Sequence, residues 1–179
     1  MINFERTKIQ LAHEFARLQH TGQVRKYTGE SYITHPIAVT ELVSQFVQDE
    51  DVLCAALLHD VVEDTPTTIE EIEEKFGPEI ACYVWYLTKP PSFVGNRDER
   101  KQLDRDRLQQ APKLARLIKV FDLWHNAGSI QEHDPKFWVT FKQEALLLLD
   151  SMMAYDVVCE FCGEDFAQSE FQEFVRKLA

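Results

Sequence analysis

The chain has 179 residues, enough for one domain with a sizeable core, and its 45% hydrophobic and 27% charged residues are ordinary for a globular protein. A formal net charge of −11 argues against a nucleic-acid polymer as partner, because so acidic a surface repels a phosphate backbone unless its cations are gathered in one place. No run of about 18 apolar residues appears, and Met1-Ile2-Asn3-Phe4-Glu5-Arg6 has no signal-peptide pattern, so no membrane partner and a cytoplasmic location are expected.

Nearly every long segment carries apolar residues at helical period. Phe4 to Leu18 reads as an amphipathic helix, and His20 to Thr34, with two Thr-Gly pairs and no period, reads as a loop. Pro36 suits the first turn of a helix toward Val47, and Asp51 to about Glu63 reads as the next, ended by Thr65-Pro66. Thr67-Thr68 ahead of Glu70-Glu71 offers a capping box, and Gly77-Pro78 closes that helix and opens another through Leu87. Lys89-Pro90-Pro91-Ser92 and Val94-Gly95-Asn96 form a second loop. Helices then follow from Arg97 to about Gln110, from Pro112 through Asn126 and from Asp134-Pro135 onward, with a short terminal one after Gly163. No repeat, linker or strand pattern is present, so the chain reads as a single all-α multi-helix domain over 1–179, with C-terminal helices from 135 to 179.

Cys54 and Cys82 lie in apolar stretches and read as small core residues. Cys159 and Cys162 have C-x-x-C spacing, but no further ligand pair follows, so they read as unpaired thiols on a helix.

The chemistry is concentrated in Val52-Leu-Cys-Ala-Ala-Leu-Leu-His59-Asp60-Val-Val-Glu63-Asp64-Thr65, where a buried-helix composition runs into four ionisable groups. Carboxylates crowded against apolar turns lose hydration and repel one another, so either this helix end is solvated or a cation neutralises it. His35, ahead of a second helix, and Asp122, inside the apolar Leu117–Leu123 run, each have a bland structural reading when taken alone. Together with His59 and Asp60 they supply two nitrogens and two carboxylates from three helices, a set suited to a divalent metal.

The order His35…His59-Asp60…Asp122 resembles the HD-domain metal-dependent phosphohydrolases. The resemblance is closest to the RelA/SpoT-type hydrolase domain and to stand-alone small alarmone hydrolases. It rests on His20-Thr-Gly-Gln-Val-Arg25-Lys26, Gly29-Glu-Ser-Tyr-Ile-Thr-His35-Pro36, Ala56-Leu-Leu-His59-Asp60-Val-Val-Glu63-Asp64-Thr65, Phe76-Gly77, Leu87-Thr88-Lys89 and Ile118-Lys119…Asp122…Asn126, in consistent order over about residues 10 to 130. The resemblance implies an HD-domain bundle that hydrolyses the 3′-diphosphate of a small nucleotide, the guanosine alarmone ppGpp or pppGpp, releasing pyrophosphate and GDP or GTP. It favours Mn2+ as the divalent ion. It makes Glu63 the proton-transfer group, Asp64 an orienting group beside it, and Arg25, Lys26 and Asn126 substrate contacts. Among the cations after the second loop, Arg100 and Lys101 are expected to reach the same mouth, whereas the others read as a solvated charged face.

Two departures stand out. Arg25-Lys26-Tyr27-Thr28-Gly29 has one more residue than the family's usual Arg-Lys-Ser-Gly loop, leaving guanine and adenine both open. Leu123-Trp124-His125 replaces the commoner Arg-Leu-His, and His125 is not expected to hold a second metal. Hydrolysis of another nucleotide (an adenosine 3′-diphosphate analogue, NADPH or a nucleoside monophosphate) is the rival reading. A non-catalytic nucleotide-binding module is a further one, and homo-oligomerisation is left open.

Overall fold

Thr7 starts the first helix by reciprocal capping: its Oγ1 accepts from the Gln10 amide at 3.2 Å, and Gln10 Oε1 accepts from the Thr7 amide at 3.0 Å. Two amides that a helix start leaves orphaned are thereby satisfied, and α1 runs Lys8–Gln19. The computed structural model describes residues 6–89 and 95–179, so the expected start at Phe4 and loop residues 90–94 lie outside the described residues. Turns carry the chain from His20 to Ile33 around a single antiparallel bridge between Val24 and Ser31.

Helix α2 (Thr34–Ser44) follows, and Asp49 caps α3 (Glu50–Leu58) by accepting from the Asp51 and Val52 amides at 2.9 and 3.1 Å. After a break come α4 (Val61–Asp64), α5 (Ile69–Phe76) and α6 (Pro78–Leu87). The Asn96–Glu99 capping box opens α7 (Arg97–Gln109). The long pair α8 (Lys113–His133) and α9 (Pro135–Ser151) turns at Asp134, whose side chain accepts from the Phe137 amide at 3.0 Å. The chain ends in α10 (Ala154–Cys162), a three-residue α11 (Glu164–Phe166), a π-helical turn at Ala167–Phe171 and α12 (Gln172–Leu178). Among the described residues no strand forms, and the expected all-α bundle is what the chain adopts.

Several helix boundaries differ from the sequence expectation: α1 begins at Lys8 after the Thr7 cap rather than at Phe4, the long helix from Pro135 breaks after Ser151, and two further differences bear on the site. The helix expected from Asp51 to about Glu63 stops at Leu58, with His59 and Asp60 between α3 and α4. Apolar period runs straight through that point, so only the tertiary demand on the two side chains marks it. The helix expected to end at Asn126 continues to His133 through Gly128. A mid-helix glycine costs about 1 kcal/mol relative to alanine, which packing of α8 against α9 offsets.

Helix α3 is the centre of the core. Every residue from Val52 to Leu58 is buried, against α1, α2 and α6. Leu58, Ile72, Ile80, Leu117, Ile118 and Phe121 are among the largest fully enclosed side chains, each contributing about 1.5–3 kcal/mol relative to exposure. Because the chain leaves α3 inside the bundle, His59 and Asp60 are carried into the interior, 1% and 8% exposed. Cys54 is buried as expected, but Cys82 faces solvent, since the buried stripe of α6 passes through Ile80, Ala81, Tyr83, Val84 and Leu87. No helix among the described residues is long and apolar enough to cross a membrane.

Candidate metal centre and its cleft

Three helices and one break bring the donors together. His35 lies in the first turn of α2, His59 and Asp60 lie between α3 and α4, and Asp122 lies midway along α8. Ligand atoms of His35, His59 and Asp60 all fall within 4.8 Å of one another. His35 Nε2 is 3.1 Å from Asp122 Oδ1 and 3.4 Å from Asp60 Oδ2, and His59 Nε2 is 3.1 and 3.8 Å from Asp60 Oδ2 and Asp122 Oδ1. Ligands at right angles on bonds of about 2.1 Å stand about 3 Å apart, so this spacing suits a divalent ion.

Hydrogen bonds on the far side of each donor fix which atom it offers. His59 Nδ1 donates to the Ala56 carbonyl at 2.8 Å, leaving the Nε2 lone pair aimed at the cluster, where this buried nitrogen has no hydrogen-bond partner. His35 Nδ1 meets His125 Nδ1 at 2.8 Å. For His35 to present an Nε2 lone pair, its Nδ1 must donate and His125 must accept. Tyr32 donates to Asp60 Oδ2 at 2.8 Å, and its ring packs on His20 with centroids 4.6 Å apart. Buried Lys119 donates to Asp122 Oδ2 at 2.8 Å, while Asn126 donates to Oδ1 at 2.7 Å and accepts from Arg25 at 2.7 Å.

The orphaned nitrogen, the mixed imidazole and carboxylate donors and the fixed tautomers fit a divalent cation. The balance of burial and neighbouring charge points the same way. Burial opposes charge on His59, yet Asp60 and Asp122 outweigh it and push its pKa up to about 10. Burial pushes His35 down despite the neighbouring Asp122. Burial also works against both carboxylates, but His59 beside Asp60 and Lys119 beside Asp122 hold them below the usual carboxylate range. Without an ion, the cluster retains a proton where positive charge is demanded.

Opposite signs of these shifts give a stability maximum for the chelated protein near pH 6.5. Below that pH, His35 and His125 (the latter pushed down to about 4 by burial and by His35) take up protons only on unfolding, so stability falls with acid. Above it, His59 keeps a proton that the unfolded chain has released, so its contribution is lost as pH rises toward about 10. Thermal melts of chelated protein from pH 4 to 10 should show that maximum, and added Mn2+ should raise the alkaline limb most, because the ion replaces the proton.

His125 stands where it can accept a hydrogen bond from His35 Nδ1, at 2.8 Å. We expect His125→Phe to weaken metal binding by about 10–100-fold and His125→Gln, which retains an acceptor, to recover most of it, as read by calorimetric titration.

Other expected residues divide into two groups. Glu63 and Asp64 stand at the rim. Both Glu63 oxygens accept from Lys89, from Nζ at 2.9 Å and from the amide at 3.3 Å. Desolvation and then the Asp60 charge push the Asp64 carboxyl up. Arg25 and Asn126 join the cluster through the chain to Asp122. Lys26 does not; it extends to Asp134 Oδ2 at 3.2 Å, beside a Tyr27 hydroxyl that donates to the same oxygen at 2.9 Å. Arg100 and Lys101, with Lys89, Arg97 and Asp104, line a cavity of about 280 Å³; Lys89 in its wall pairs with Glu63 at 2.9 Å and lies within reach of the Asp60 and Asp122 charges. Sequence reasoning assigned no role to Tyr32, Lys89 or Lys119. The signal for Lys119 was present, since a lysine inside Leu117-Ile118-Lys119-Val120-Phe121 must find a buried partner.

An all-helical bundle with paired His-Asp donors at its centre defines a class. The chain belongs to the HD-domain family, whose model matches residues 12–146. Within that class its relatives are narrower. It is 33% identical over 147 residues to the guanosine-3′,5′-bis(diphosphate) 3′-pyrophosphohydrolase MESH1 of Drosophila melanogaster, covering 80% of this chain and 81% of that one. It is 32% identical to a Spiroplasma citri protein of the same enzymatic name, over 96% of this chain but only 22% of the relative's length. A solved structure titled as a metazoan ortholog of SpoT that hydrolyses ppGpp superposes with a TM-score of 0.77 at 28% identity, covering 98% and 97% of the two chains. The lmo0812 structure from Listeria monocytogenes EGD-e, with a TM-score of 0.61 at 24% identity and coverage of 86% and 96%, shares the fold.

Proposed function

We propose that this chain is a metal-dependent phosphohydrolase that removes the 3′-diphosphate of ppGpp or pppGpp, leaving GDP or GTP and pyrophosphate. The observation that carries this reading is the convergence of His35, His59, Asp60 and Asp122, with Lys89 linking them to a cavity lined by four cations, Lys89, Arg97, Arg100 and Lys101, and by Asp104. A neutral or acidic cleft would suit few phosphorylated substrates; a cationic cavity next to a divalent-ion set suits a diphosphate leaving group. The names of the Drosophila and Spiroplasma relatives support the same substrate. The proposed functional unit is the whole chain, 1–179, with the C-terminal helices bracing α8, and the proposed ion is Mn2+.

A divalent ion held by His35, His59, Asp60 and Asp122 would supply Lewis-acid chemistry toward the phosphate and the attacking water. The rest falls to the chain's own groups. His35, His59, Asp60 and Asp122 hold the ion, oriented by His125, Tyr32, Lys119 and Asn126. Arg25, braced against Asn126, faces the nucleoside end. Glu63 accepts the proton of the attacking water, and Asp64, the carboxyl raised by desolvation, orients that water. The new bond joins water oxygen to the phosphorus attached at the 3′ position, the bond from that phosphorus to the ribose 3′ oxygen breaks, and a proton ends on that oxygen. Arg100 and Lys101 receive the departing pyrophosphate.

A second reading is favoured by one observation. Tyr27 and Lys26, tied to Asp134, remodel the loop that faces the base, so an adenosine 3′-diphosphate analogue competes with guanosine as substrate. A nucleotide panel assayed with Mn2+ separates the two, with pyrophosphate and phosphate release measured independently. Pyrophosphate from the guanosine alarmone is the expected product; phosphate alone, from other nucleotides, would overturn the proposal.

A further inference from the structure

On the face of α8 turned away from Asp122 lies a cavity of about 390 Å³, lined chiefly by Trp124, Gly128, Trp138, Glu170, Glu173 and Lys177. Trp124 is two residues from Asp122, about 200° around the helix, and Gly128 is one turn further on the same side. The cavity is therefore separate from the metal centre, and none of these side chains has a part in the chemistry proposed above.

Four features mark it as more than a packing gap. Gly128 is an exposed position in the cavity wall, where a Cβ would meet nothing within 4 Å, so a larger side chain there has room to extend over the opening. Two half-buried indoles flank it, with Trp124 itself stacked on Phe174 at 4.9 Å and on Phe166 at 5.9 Å, which fixes the ring. The last helical stretch widens into a π-helical turn at Ala167–Phe171, an irregularity that recurs at functional sites, and that turn carries Glu170 to the cavity rim. Finally, charge is unbalanced. Lys177 pairs with Glu173 at 3.0 Å, whereas Glu170 has no ion pair among the described residues. Indole faces with an unpaired carboxylate attract a positive charge by ring quadrupole and by Coulomb force, and they disfavour an anion.

We propose that this cavity is a binding site for a small organic cation of the quaternary-ammonium or guanidinium type, held over Trp124 or Trp138 and balanced by Glu170. The remaining tryptophan, Trp85, lies on α6 under the Arg107 guanidinium and outside the cavity, so a Trp85→Phe background leaves only the two site indoles as fluorophores.

In that background, full-length Mn2+-loaded protein would be titrated with choline, with its neutral isostere 3,3-dimethylbutan-1-ol and with GDP. Saturable quenching by choline is expected, about tenfold weaker for the neutral alcohol and for Glu170→Gln, and lost in Gly128→Leu, which extends over the opening. Thermal melts of the two variants check that each is folded, and Glu170→Gln, a surface change, keeps the test available if the leucine destabilises α8. No saturation with choline at millimolar concentration, equal binding of the neutral alcohol, or GDP quenching that Gly128→Leu abolishes would each overturn the proposal.

Discussion

Alanine at position 59 is expected to remove Mn2+ binding and hydrolysis together. His59 is enclosed, its Nδ1 is committed to the Ala56 carbonyl, and its Nε2 has no role other than toward the cluster. Losing it takes away one of two nitrogen donors and leaves Asp60 and Asp122 short of positive charge. A Lewis-acid site contributes several kcal/mol to the transition state, and each 1.4 kcal/mol is tenfold, so activity should fall by about 10³-fold or more. Breaking one side of a buried charged set also costs about 3–5 kcal/mol of stability. His59→Gln, which fills the volume and can still face the carboxylates, separates the two effects: it should melt closer to the parent yet bind manganese no better than the alanine variant. Metal content after dialysis and turnover of ppGpp are the measurements, and retention of stoichiometric manganese by either variant would remove this histidine from the ligand set.

Glu63→Gln is expected to act differently. The carboxylate stands at the rim rather than in the ligand cluster, and glutamine can still accept the Lys89 amide proton. Manganese affinity and KM should therefore change little, while kcat falls by about 10²–10⁴-fold, the range for loss of a general base. Asp64→Asn should cost less, because the part proposed for it is to orient water without taking its proton. If kcat survives Glu63→Gln and collapses in Asp64→Asn, the two roles are exchanged, which the upward shift at Asp64 would then explain.

How far the sequence could be read depended on which forces acted locally. Helix period, the Thr67-Thr68 cap and the Gly77-Pro78 boundary are local, and they place most elements. The four ligand candidates were legible because polar residues inside apolar helices at 35, 59–60 and 122 need a common explanation. The break at His59-Asp60 was not, since its cause lies in α2 and α8. Lys89 was hidden for a related reason: outside an apolar run, a lysine signals its carboxylate partner only once the fold has excluded water, whereas Lys119 inside its apolar run carried a signal that went unused. Lys26 illustrates the opposite case. In an aperiodic loop nothing local shows that Asp134, 108 residues away, takes up its ammonium group.

The centre joins α2, α3 and α8, so its ligands span 87 residues between His35 and Asp122. Such long-range closure carries a loop-closure cost that the local helices do not, so it is expected to form after them, with the ion binding late in folding. Interactions absent from the folding transition state slow unfolding without accelerating folding. A bound ion is therefore expected to act as a kinetic clamp: chelation should speed unfolding of the folded chain and leave the refolding rate unchanged, as stopped-flow unfolding with and without EDTA would read.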